Sequence, residues 1–311
     1  MKSKNPLIIL LCCAGLAVLY SLNMLYFSSK SDLFPVQEKE GTTGGIVFTE
    51  TLTVLIDHEL HGTGGWLPND LPLSPGRLLD NKPNLQLGVL ETVRYSSRVL
   101  RDNLSRQRTT DKIDPDCDRA FTCFSNDPFK WMMPSAEGKY KDGIDSLREY
   151  ARRLTKAEAS FYPRSDNLIQ LLEQYASLLG GVNTRLLNAS KTLIPNPDAY
   201  RTARPGTNKQ TAKAAWHTID DNFYYAQGIG YGLYHMFKAI SIEFAGVLSD
   251  KNATVIVNDI ISSLEESYFE PFIVTNGSKD GILANHSSNL RVFLDDARQK
   301  TNSLISILDQ G

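Results

Sequence analysis

Between Leu7 and Phe27 the chain carries no charged residue, and Gly15, Ser21 and Asn23 are the interruptions in an otherwise apolar run. At about 1.5 Å per residue, a helix over residues 6–27 reaches about 30 Å, the thickness of a bilayer core. A removable signal has a shorter apolar core, of about 7–15 residues, followed by small residues at a cleavage site. Here the run ends in Leu25-Tyr26-Phe27 with no such site after it, and Leu11 precedes Cys12 where a lipoprotein signal has a small residue. The sequence therefore predicts an uncleaved anchor over 6–27 that contacts the lipid bilayer, with Tyr20 and Tyr26 suited to an interfacial belt. Lys2, Lys4 and the amino terminus precede the run, whereas Lys30 is soon balanced by Asp32. The positive-inside rule then predicts a cytoplasmic tail over 1–5 and a main domain outside the cytoplasm. The inverted alternative makes the domain a cytoplasm-facing membrane-stress partner.

Residues 28–45 are polar and rich in small side chains, ending in Gly41-Thr42-Thr43-Gly44-Gly45, and read as a flexible tether. The remainder, 46–311, is long enough for one large helical domain or for two units, 46–190 and 214–311, around a linker at 191–213. That linker is rich in Pro, Asn, Thr and basic side chains. A net charge of -2 supplies no basic excess, so no nucleic-acid partner is expected.

The periodicity is helical throughout. Val47–Leu60 keeps Leu52, Leu55, Ile56 and Leu60 on one stripe, and Gly62 with Gly64-Gly65 ends it. Prolines confine 66–84 to loop, and a second helix is expected over 85–107. Asp114-Pro115 reads as a cap followed by proline at the first helical position, starting a short helix through Phe124. Ser135 caps a helix through Leu154, and another starts at Ser165 or Asp166. The strongest signal runs from Ile219 through Phe223, Ala226, Gly230, Leu233, Phe237, Ile240 and Phe244 to Val247 in steps of four and three. Gly228, Gly230 and Gly232 lie in this helix, where each costs about 1 kcal/mol against Ala unless a neighbouring backbone needs the space. Further helices carry Ile256, Ile260, Ile261 and Leu264, and Leu290 through Leu308 from about Ser287. No alternating strand run is present. The predicted fold class is all-α: a transmembrane helix followed by a multi-helix, bundle-like extracytoplasmic domain.

Motifs that suggest chemistry fail on spacing. His58 and His61 are three apart beside a glycine turn, whereas a zincin needs its histidines four apart so that both face one metal. Gly228-x-Gly230-x-Gly232 neither follows a strand nor opens a helix, so it reads as packing rather than a phosphate loop. His235 lies one step from the apolar seam and reads as a core or boundary histidine with a satisfied hydrogen bond. Asp220 and Asp221 open the long helix, where carboxylates suit the positive end of its dipole, with His217 one turn earlier. Arg94, Arg98 and Arg101 form a stripe, extended by Arg106 and Arg108 and partly offset by Glu91 and Asp102; it is a candidate surface for an anionic partner. Cys117 and Cys123 match no metal pattern and could pair only across a break in their helix, since six helical residues rise about 9 Å. No metal site or cofactor is predicted.

Five dispersed segments carry a resemblance. They are Gly64-Gly65-Trp66-Leu67-Pro68-Asn69-Asp70, Leu79-Asp80-Asn81-Lys82-Pro83-Asn84, Phe161-Tyr162-Pro163-Arg164-Ser165-Asp166-Asn167-Leu168, Ile219-Asp220-Asp221-Asn222-Phe223-Tyr224, and Asn276-Gly277-Ser278 through Ala284-Asn285-His286-Ser287. Together they resemble an uncharacterised bacterial family, domain of unknown function 2333, of single-pass inner-membrane proteins. The resemblance implies a bacterial envelope protein and brings no reaction or catalytic residue. The pairs His58/His61 and Cys117/Cys123 fall outside its pattern. A shared polar site, if the family has one, would draw on Asn69, Asp70, Arg164, Asp166, Asp220, Asp221, Asn276, Asn285 and His286. The expected role is binding, as a helical interaction or scaffold module with an envelope protein partner. The alternative is an envelope hydrolase using His286 with Asp220, Asp221 or Glu59. Convergence of these polar residues in one cleft would favour the enzyme or a ligand site, and dispersal an interaction scaffold.

Overall fold

The computed structural model describes residues 6–27, 30–38, 43–70, 81–108, 110–190, 194–195, 211–212, 217–271, 274–275 and 284–310. In chain order the helices are α1 (Pro6–Phe27), α2 (Ile46–His61), α3 (Asn81–Val99, continued by a π-helical turn at Leu100–Leu104), α4 (Pro115–Phe124), α5 (Ala136–Thr155), α6 (Ser165–Ser190), α7 (His217–Glu243), α8 (Ala245–Asp250), α9 (Thr254–Glu266) and α10 (His286–Asp309). Beyond these, the described residues show an isolated bridge at Asn285 and a two-residue antiparallel pairing of β1 (Ile194–Pro195) with β2 (Thr211–Ala212). The chain is an all-α, multi-helix protein. The expected linker at 191–213 lies outside the described residues except for that pairing.

Local signals set the helix ends. Asp114 caps α4 by accepting from the amides of Asp116 and Cys117, with Pro115 at the first helical position. Ser135 caps α5 by accepting from Gly138 N, and Asn285 caps α10 by accepting from Ser288 N. Three boundaries differ from the expectation, one being the end of the second helix, at Leu104 rather than Gln107. Helix α3 starts at Asn81 rather than Leu85, because Pro83 falls in its first turn, where a missing N–H leaves nothing unpaired. The long seam also breaks at Phe244, so that Val247 belongs to α8.

Helix α7 is the centre of the domain: every residue from 226 to 237 is buried. Its glycines admit neighbours. A Cβ on Gly228 would stand 2.0 Å from Leu85 O, and one on Gly88 would stand 2.2 Å from Tyr225 O. A Cβ on Gly232 would meet Thr92 at 2.8 Å. Helices α3 and α7 therefore touch backbone to backbone, as the glycine spacing requires. Helices α6 and α10 run antiparallel alongside: Ser165 Oγ donates to Leu308 O at one end and Asn183 Nδ2 to Asp295 Oδ1 nearer the other. Between α4 and α5, Arg153 forks onto Asp114 and Asp116 with contacts of 2.6 Å. Cys117 and Cys123 are both buried and free in the unbroken α4. The break that a disulfide between them needs is absent, and burial pushes both thiols up.

Helix α1 stands apart in character. Leu10, Leu11, Leu16, Val18, Leu19 and Leu22 are each 56–66% exposed, so α1 presents large apolar side chains to its surroundings. Among the described residues no helix is counted as long and apolar enough to cross a membrane.

Candidate functional site

The segment that follows α1 is docked. Residues 30–36, expected to be part of a slack tether, lie along α7 and meet a row of polar side chains at Gln227, Tyr231 and His235. These three are four residues apart and so share one helical face. Gln227 and His235 are fully buried. Lys30 Nζ donates to Gln227 Oε1 at 3.1 Å and to Phe269 O at 3.3 Å, and stands 4.6 Å above the ring of Tyr268. Tyr268 OH donates to Ser31 O at 2.7 Å, and Tyr231 OH donates to Asp32 O at 3.1 Å. Phe34 N donates to His235 Nε2 at 3.1 Å. The Phe34 ring stacks on His235 with centroids 3.8 Å apart and meets His58 edge-on.

The chemistry of the row is that of a backbone receptor. Two phenolic hydroxyls satisfy consecutive carbonyls, and an imidazole satisfies an amide two residues later. Because Nε2 of His235 accepts, the ring proton belongs on Nδ1, which lies 2.8 Å from Tyr231 O and donates to it. Burial holds this imidazole down to about 4, partly opposed by its two backbone hydrogen bonds. The ring is a neutral acceptor, as the docked amide needs. Burial also lowers Lys30, with Glu270 acting against it.

Glu59, in the last turn of α2, closes the other side. Its Oε1 accepts from Ser31 Oγ at 2.9 Å, while Oε2 is buried with no hydrogen-bond partner among the described residues. Burial pushes this carboxyl up, opposed by Ser31, Lys82 and Gln86. Burial likewise lowers Lys82, whose Nζ donates to Thr63 O. Gln86 ties the end of α2 to the next loop: its amide donates to Glu59 O and Gly65 O and accepts from Leu67 N. Outside the docked segment a cleft of about 530 Å³ opens between Lys30, Asp32, His58, His61 and Lys82. Farther along, Glu243 completes the return into α2 by accepting from Gly45 N at 2.7 Å and Phe48 N at 3.2 Å.

The residues singled out from sequence do not all meet, although the ring of Phe269 neighbours both His286 and Phe223 of α7, near Asp220 and Asp221. Asn69 is buried and donates to Lys130 O and Glu137 Oε2, holding a loop; Asp70 N donates to Leu67 O in a turn beside it. Arg164 forks onto Asp166 and donates to Gln107 O, at the rim of a cleft of about 370 Å³. Asp221 accepts from Asn84 Nδ2 at 2.7 Å, and Asp220 accepts from the Asp221 amide. Asn285 is a cap, and His286 Nδ1 accepts from Thr275 N at 3.0 Å. Asn276 lies outside the described residues. Asn285 and His286 begin α10 while Arg164 and Asp166 sit by its end, so its 24 residues put about 35 Å between the pairs.

The arginine stripe is largely engaged. Arg94 donates to Phe124 O and Asn126 O and pairs with Glu91. Arg101 forks onto Asp102, approaches Asp118 and covers the ring of Phe121. Arg98 is the more exposed member, 3.9 Å from Asp102. His61 Nδ1 sits 3.3 Å from Asp57, and His58 faces Phe34. Among the described residues no group of three or more His, Cys, Asp or Glu is placed to hold a metal ion.

Sequence reasoning placed His235 correctly as a core histidine with satisfied hydrogen bonds. It missed the receptor row, although Gln227-x3-Tyr231-x3-His235 is a legible polar stripe inside an apolar helix. A family model described as an uncharacterised protein conserved in bacteria, domain of unknown function 2333, matches residues 5–311. No curated protein and no solved structure matches the chain.

Proposed function

The chain belongs to a family of uncharacterised proteins conserved in bacteria, and we propose that it is an inner-membrane protein whose helical domain binds a partner at the bilayer surface. Helix α1 supplies the anchor: its 22 residues carry no charge, and its exposed apolar side chains suit lipid rather than water. Lys2 and Lys4 favour a cytoplasmic tail over 1–5 and a periplasmic domain.

The observation that carries the reading is the docked segment. Between Phe27, where α1 ends, and Lys30, where docking begins, there are three peptide steps, which span at most about 11 Å. A domain so attached rests against the membrane that holds α1. The separation of Asn69 and Arg164 from His286 supports an interaction or scaffold role with an envelope protein over a hydrolase. His286 accepts from Thr275 N, Asp221 from Asn84 and Glu59 from Ser31, so each carboxylate or imidazole already has a neighbour of its own.

The test is made on the full chain in bacterial cells. We expect it to stay with membranes through an alkaline wash, and a reporter active only outside the cytoplasm, fused after Gly311, to be active. Release by the wash overturns the anchor. Activity of a cytoplasm-only reporter at the same position overturns the orientation.

A further inference from the structure

The loop between α4 and α5 exposes four large apolar side chains in a row of five residues: Phe129 and Trp131 are each 58% exposed, Met132 46% and Met133 87%. Scattered exposed apolar residues are ordinary, but a contiguous group marks a contact surface. This loop is also fixed in place. Trp66, itself buried, donates its Nε1–H to Pro128 O at 2.9 Å. Asn69 donates to Lys130 O at 3.0 Å, Ala136 N donates to the same carbonyl at 2.7 Å, and Phe129 N donates to Asp127 Oδ1 at 3.0 Å. The aromatic side chains are thus presented to solvent by an ordered backbone.

We propose that this loop is a second membrane contact, with Phe129, Trp131, Met132 and Met133 entering the headgroup region of the leaflet from which α1 emerges. The proposal rests on the anchoring reading above and adds to it a surface of the domain itself. Two observations select lipid as the occupant. Trp and Phe beside Lys130 match the amphipathic chemistry of the bilayer interface.

The second is continuity with the attachment point. Ser31 bonds Glu59 at the end of α2, and Gln86 joins Glu59 to Gly65 and Leu67. Trp66 and Asn69, in that same short stretch, hold the loop. The aromatic loop is therefore linked through hydrogen bonds to the part of the domain that receives the chain from α1.

The experiment uses the full chain reconstituted in phosphatidylcholine vesicles, with and without bromine on the acyl chains near the headgroup. Tryptophan emission is compared between the unaltered chain and Trp131→Phe, so that the difference isolates Trp131 from Trp66 and Trp216. The Trp131 component should lose most of its emission to the brominated lipid and be protected from acrylamide in the water phase. A second reporter, Phe129→Trp, should gain a component that brominated lipid quenches, which covers the case in which Trp131→Phe misfolds. If the chain floats with the vesicles but both reporters are quenched by acrylamide and not by lipid, the loop proposal falls and the anchor stands. That outcome leaves the loop to a protein partner or a second copy. If the chain does not float with vesicles, the anchoring reading itself fails and this proposal with it.

Discussion

Helix α7 meets its neighbours in two different ways on adjoining faces. Against α3 it offers Gly228 and Gly232, and contact depends on what is missing: any added Cβ lands on Leu85 O or Thr92. Against residues 30–36 it offers Gln227, Tyr231 and His235, and contact depends on what is present, a set of directed hydrogen bonds. At the glycines the first face is a matter of shape, with one directed bond, Asn84 to Asp221, nearer the start of both helices. The second is an exchange of hydrogen bonds in which water could replace each partner, so its net stabilisation is modest and adjustable. One face fixes the fold, while the other fixes where α1 attaches to it.

The sharpest way to break that contrast is Gly228→Ala. A Cβ 2.0 Å from a carbonyl oxygen forces the helices apart, and we expect a loss of about 3 kcal/mol of stability against a propensity gain of about 1. Thermal unfolding of the full chain in detergent checks it; an unchanged melting temperature would mean that α3 and α7 are not in backbone contact.

The polar face should instead respond to pH. Burial depresses His235 to about 4 from 6.5, so docking favours the neutral ring. Its contribution is whole above pH 6.5 and falls as pH drops from there toward 4, by up to about tenfold per unit. Glu59 works in the opposite sense. Its raised carboxyl stabilises docking fully below the usual carboxylate value and loses that contribution as pH rises through the shifted one. Lys30 and Asp32 within the segment, and Asp57, His58, His61 and Lys82 beside it, are the other ionisable groups that line this place. The protection factor of the Phe34 amide in hydrogen exchange should fall on the acid side, and Glu59→Gln should flatten the alkaline side. Protection that is constant from pH 4 to 7 would show that the imidazole does not hold the segment.

Smaller effects come from single donors. Tyr231→Phe and Tyr268→Phe each remove one hydrogen bond to the segment and should cost about 1 kcal/mol of docking, or about fivefold, while leaving helix content intact. Limited proteolysis between residues 30 and 36 reads this directly, and resistance equal to the unaltered chain would count against the row. The smallest change is the control for the glycine face. Gly246 has no atom within 4 Å of an added Cβ, so Gly246→Ala should be neutral or gain up to about 1 kcal/mol. A large loss there would mean that glycine in this protein is needed for more than close approach.

The helices were legible because their signals are local. A cap such as Asp114 or Ser135 acts on amides two or three residues away, and the apolar seam of α7 repeats along one strip of sequence. The backbone contact of α3 with α7 was half legible, since Gly228 announces a close neighbour without naming Leu85 or Gly88. The docked segment was not legible. It is short, polar and without period, and its partners stand about 200 residues away, as from Phe34 to His235.

The candidate site misled for a related reason. Asn69, Arg164, Asp166 and Asn285 look alike in sequence because each is a polar residue in a turn or at a cap, and the structure uses them there. Asn285 caps its own helix, Arg164 pairs with Asp166 and Gln107, and Asn69 ties its turn to Lys130 and Glu137, so each is committed at a different place. The buried row on α7, which does converge on one segment, was hidden by the apolar residues between its members.

The docked segment also makes a mechanical connection. Lys30, Asp32 and Phe34 meet Gln227, Tyr231 and His235 in the same order along both chains. A pull on α1 directed along α7 loads all of these bonds together, in shear, and reaches the central helix without first taking up slack. A pull directed away from α7 opens them one after another, starting at Lys30, and each bond released lengthens the leash on the domain. The same few hydrogen bonds thus act as a stiff coupling to force in one direction and as a release in another.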